Sequence, residues 1–76
     1  MIRWEYLKVE TDYDSHLDRV HRVNDAELPD WKKGPAVSEY VNRLGAEGWE
    51  LASTTSWAVS MAVVPGRVLW FKRPRD

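Results

Sequence analysis

The chain has 76 residues, a net charge of −1, 43% apolar and 30% charged residues, and no cysteine. That size allows one core and one domain, 1–76, while the missing cysteines exclude disulfides, thiolate nucleophiles and cysteine-built zinc sites. No apolar run approaches the roughly 20 residues of a membrane span, and the balanced charge gives no footprint for nucleic acid or an acidic membrane.

The first predicted element is a strand at 2–9, Ile-Arg-Trp-Glu-Tyr-Leu-Lys-Val, rich in aromatic and β-branched residues. Residues 11–34 are ambiguous. Leu17, Val20, His21 and Leu28 suit a helix face, with Ser15 and Asp18 at capping-box spacing. The valines and the turn-prone Asn24-Asp25 pair favour instead a strand at 17–23 returning along the first.

An amphipathic helix is expected over about 35–47. Gly34 and Pro35 suit its start, and Val37, Tyr40, Val41 and Leu44 recur at one helical face. Gly48 suits a left-handed stop. From Trp49 to Val63 the odd positions carry the larger side chains, so an extended chain is predicted, with a break near 53–56. Pro65-Gly66 marks a turn into Val68-Leu69-Trp70-Phe71, an apolar run placed centrally in the sheet, though the hairpin register stays open. The resulting fold class is α+β: a small, mostly antiparallel sheet of three or four strands with one helix on one face.

Neighbours on a strand point to opposite faces, so Trp57, Val59, Met61 and Trp70 cannot all join Leu69 and Phe71 beneath the helix. Either residues 11–34 or another subunit must cover the second face. Five tryptophans in a chain without disulfides reinforce the expectation of a homo-oligomer, dimer or higher. Charges within Met1–Glu5, where an export leader needs apolar residues, point to the cytoplasm.

Motifs for chemistry are sparse. Asp12 to Asp18 alternates oxygen and imidazole groups, but Leu17 and Val23 stand where a calcium loop needs glycine and glutamate, so a solvated acidic loop is the better reading. Gly45-Ala46-Glu47-Gly48 has a Gly-x-x-Gly form used to grip RNA backbone. It leads from a helix into a strand, however, and carries an acidic centre, so chain geometry accounts for it. Trp31 with Lys32 and Lys33, and Arg67 with Lys72, Arg73 and Arg75, offer an aromatic and basic surface for a small ligand or single-stranded nucleic acid, although pinning a loop onto the core accounts equally well for Trp31. His16 and His21 stand in no nucleophile or general-base motif, so no enzyme activity, cofactor or metal is expected.

Three pieces carry a resemblance: Trp4-Glu5-Tyr6, Leu44-Gly45-Ala46-Glu47-Gly48-Trp49-Glu50-Leu51, and Phe71-Lys72-Arg73-Pro74. In this order they resemble the bacterial family catalogued as domain of unknown function 4177. The resemblance implies a helix packed on a small sheet and no known activity. The central piece reads as architecture: Gly45 as a close-packing point, Gly48 ending the helix, Trp49 stapling it to the sheet, Glu50 outward and Leu51 inward. Function is therefore expected to be a non-enzymatic, self-associating interaction module, with Trp57, Val59, Met61, Trp70, Trp31, Lys32 and Lys33 as the candidate surface. Ligand or single-strand binding is the alternative.

Overall fold

The structure is a computed structural model that describes residues 2–14, 17–57 and 66–75. Strands β1 (Arg3–Asp14), β2 (Leu17–Val23) and β3 (Ala26–Glu27) are followed by a 3-10 turn at Trp31–Lys33 and helix α1 (Val37–Ala46). Strands β4 (Glu50–Trp57) and β5 (Gly66–Arg75) complete one antiparallel sheet in the order β3-β2-β1-β5-β4. The α+β class is as expected, with five strands because the two-residue β3 is too short to leave a periodic signature.

β5 lies between β1 and β4, as its two-sided apolar run predicts. Its register sets Val9 opposite Leu69 and Leu7 opposite Phe71 on one face, with Lys8 opposite Trp70 and Tyr6 opposite Lys72 on the other. The first face is the core. Val9, Val20, Leu44, Leu69 and Phe71 are buried, and Leu7, Val23, Leu28, Val37, Tyr40, Val41 and Trp49 pack around them.

The 17–23 strand is present, and Asn24 and Asp25, both at positive φ, turn it into β3. Positive φ at both central residues defines the hairpin turn whose twist matches its strands. Asn24 also ties back to β1: its N–H donates to the Lys8 carbonyl at 2.8 Å, and its Oδ1 accepts the Lys8 N–H at 3.0 Å. β2 carries one extra residue between the partners of Glu10 and Thr11, a bulge at His21.

The helix begins later than its sequence suggests, with Ala36 rather than Gly34 as its N-cap. The reason is long-range. Arg19 pairs with Ala36, the Arg19 guanidinium donates to the Gly34 carbonyl, and Val20 N–H reaches the Pro35 carbonyl at 3.5 Å. These contacts hold 34–36 extended against β2. The other end follows expectation: Gly48 has φ 91°, and Trp49 N–H returns to the Leu44 carbonyl at 3.0 Å.

Two local readings are corrected. A Cβ at Gly45 would meet nothing within 4 Å, so no close approach requires that glycine. Leu51 is 49% exposed rather than inward-buried, because it lies on the outermost strand. The strand irregularity falls between Leu51 and Ser53 rather than near 53–56, and the hairpin register runs from Glu50 opposite Lys72 to Trp57 opposite Gly66.

Candidate functional site

The expected interface residues do not form one group. Val59 and Met61 lie outside the described residues, and Trp57 is described only by its backbone, paired with Gly66 at the end of β4. Trp70 stands on the sheet face opposite Leu69 and Phe71 and is 39% exposed. Trp31 is elsewhere, beyond β2 and two strands away from Trp70.

Trp31 is half-buried, with its ring centroid 4.4 Å from that of His21 and the Lys32 ammonium 5.8 Å from its own. Lys33 is exposed, and its N–H closes the turn onto the Asp30 carbonyl. His21 in turn approaches Glu27 at 2.7 Å through Nε2 and Asp12 at 3.7 Å through Nδ1. Trp31 thus pins the 28–36 segment to β2, the structural role open to it from sequence. A hollow of about 240 Å³ adjoins this cluster, lined by Glu10, Thr11, Asp12, His21 and Arg22. Its hydroxyl, on buried Thr11, is directed to the Arg67 carbonyl at 3.5 Å rather than to the imidazole. No nucleophile–base pair is assembled there.

The face around Trp70 also holds residues outside the expected interface set. Trp4 and Tyr6 of β1 are 39% and 60% exposed and point to the same side as Trp70. Lysines stand among them. The Lys72 ammonium lies 4.6 Å from the Trp4 centroid, and that of Lys8 lies 5.9 Å from the Trp70 centroid. Lys8 also meets Asp25 at 2.9 Å, and the hydrogen bond to that carboxylate holds its ammonium above the ordinary lysine value of 10.5. Lys72 has no ion pair among the described residues. The period-two run Trp4-x-Tyr6-x-Lys8 was the available signal for this surface, because alternate residues of a strand share a face.

The second notable feature is the outer edge of β4, which has no strand partner among the described residues. From Leu51 to Trp57 it carries neither charge nor proline, and residues 51–55 are all exposed. The irregularity at Ala52 disturbs its beginning, leaving Ser53–Trp57 in regular register. Natural sheets usually guard such edges with charge, proline, bulges or a covering segment.

These features define a helix-backed antiparallel sheet of the α+β class, with one face and one edge left open among the described residues. Comparison of the chain with protein-family models, curated proteins and solved structures gives no match. No helix is long and apolar enough to cross a membrane, among the described residues.

Proposed function

We propose that the chain is a non-enzymatic, cytoplasmic assembly module whose copies associate along β4, in bacteria as its resemblance at Leu44–Leu51 implies. The uncharged, proline-free edge from Leu51 to Trp57 is the observation that carries this reading. A strand edge offers a row of backbone donors and acceptors to any extended chain. The partner that always presents a matching edge at matching concentration is a second copy. Two antiparallel β4 strands related by a two-fold axis would join their sheets without placing like charges near the centre, because Ser53, Thr54 and Thr55 are neutral. The non-enzymatic reading is supported by His21 standing between two carboxylates and by Thr11 being engaged with backbone.

Thr54→Lys tests the proposal. Thr54 is exposed, so the monomer should change stability by no more than about 0.5 kcal/mol. In a two-fold pair, however, lysines from both copies would meet near the strand centre, and facing like charges oppose pairing. Sedimentation equilibrium should show a dimer or higher species for the parent, and association at least about tenfold weaker for the variant. A monomeric parent at high concentration, or undiminished association of the variant, rejects the proposal.

A further inference from the structure

The open face has its own chemistry, independent of association along β4. Trp4, Tyr6 and Trp70 present exposed rings on one side of the β1–β5 pair, and Lys8 and Lys72 alternate with them across the register. Alternate residues on a strand are spaced by about 6.6–6.8 Å. That is twice the about 3.4 Å separating stacked nucleotides along one strand. The spacing suits bases drawn apart from one another, each laid on a ring, and does not suit a stacked helix. A duplex hides its base faces inside the stack, whereas an extended single strand leaves them free.

The geometry points to this face as a binding site for single-stranded nucleic acid. Bases rest on Trp70, Tyr6 and Trp4, and phosphates are taken by Lys72 and Lys8. The two ammonium groups set among the rings favour that occupant over an apolar protein surface. Covering the face with an apolar partner would desolvate both ammonium groups, one of them without any ion pair among the described residues. A phosphate beside Lys72 instead gains an ion-pair partner, in competition with Glu50, which stands opposite Lys72 on the same face, while a base takes the ring that Lys72 leaves. Glu10 follows Lys8 on the same side of β1 and Glu50 stands opposite Lys72 on β4, so like-charge repulsion bounds the site on both of those sides. Two lysines predict weak, salt-sensitive binding, which agrees with a chain of net charge −1.

The test is a titration of the full chain with a fluorescein-labelled oligo-deoxythymidine of about 15 nucleotides, a length that spans several stacking sites. Anisotropy and tryptophan emission are followed together. Binding should quench tryptophan, and log K should fall with log salt at a slope of about −1.4, the value for two phosphate contacts on a single strand. Trp70→Leu should weaken binding roughly 5- to 150-fold, the loss expected for one stacked base. Lys72→Met should reduce the slope by about 0.7. Far-UV circular dichroism checks that both variants fold. If Trp70→Leu does not fold, Tyr6→Ser, at the most exposed of the three rings, takes its place.

Absent binding, equal affinity for a blunt duplex, or affinity unchanged in the ring variant overturns the proposal. So does full competition by polyglutamate at equal charge, which would reduce the surface to a simple cation patch. Loss of tryptophan quenching with a dimer that persists in Thr54→Lys would assign the face to a second copy instead.

Discussion

The two edges of this sheet are built from opposite materials. Beyond β2 the chain makes a two-residue strand, a left-handed turn and an extended segment tied to Arg19 and Val20, then crosses into the helix. Beyond β5 the sheet ends on β4, uncharged from Leu51 to Trp57 and without a strand partner among the described residues. On the first side, backbone groups are used within the chain. On the second they face outward. The difference shows that edge protection here is local: it draws on particular residues beyond β2, while among the described residues β4 has only the irregularity near Ala52.

The contrast can be broken most strongly by making one chemical deletion on each side. Leu44 is 5% exposed on the inner face of the helix, whereas Leu51 on β4 is 49% exposed. Leu44→Ala should cost roughly 2–5 kcal/mol in urea unfolding, enough to threaten a chain of this size. Leu51→Ala should cost less than about 1 kcal/mol, since half its surface is already in water. Equal costs would mean that β4 is packed as firmly as the guarded side.

A smaller effect is expected at the turn that creates the guarded edge. Asn24 has φ 51°, a region that β-branched side chains resist. Asn24→Val should destabilise by about 1–3 kcal/mol through strain and loss of the bond to the Lys8 N–H. Asn24→Gly, which accepts the conformation, should cost less. Thermal melts of both variants would sharpen the comparison, and a harmless valine would show that the turn does not fix this edge.

The smallest effect concerns the Lys8–Asp25 pair at the same turn. Asp25 raises the Lys8 ammonium above its ordinary 10.5, so the pair's contribution is present below that value and disappears as pH rises through the folded-state value. The stability difference between the parent and Lys8→Met should therefore be flat to about pH 10 and close above it. A difference that widens in alkali would contradict the sign.

Much of this was legible in the sequence because it is local. Gly48 reads as a helix stop since only its own backbone is involved, and Leu17–Val23 reads as a strand from its valines and the Asn24-Asp25 turn. The helix start was hidden because Ala36 is held by Arg19, seventeen residues earlier in the chain. The bulges at His21 and near Ala52 were hidden because they are properties of a pair, not of a strand. For the candidate surface, Trp70 was visible as an outward residue of a two-sided run. Its neighbours Lys8 and Tyr6 were not, because the register that brings β1 beside β5 joins opposite ends of the described chain.

That same register has a consequence for how the chain folds. The sheet consists of two locally connected pieces, β1–β2–β3 and β4–β5, meeting along one seam from Arg3 opposite Arg75 to Thr11 opposite Arg67. Each piece can close over a short loop, but the seam must wait for residues more than fifty positions apart to meet. Loop-closure entropy therefore places the kinetic barrier there. During synthesis β1, the centre of the finished sheet, is made first and completed last. Until β5 arrives, its inner edge stands as bare as that of β4.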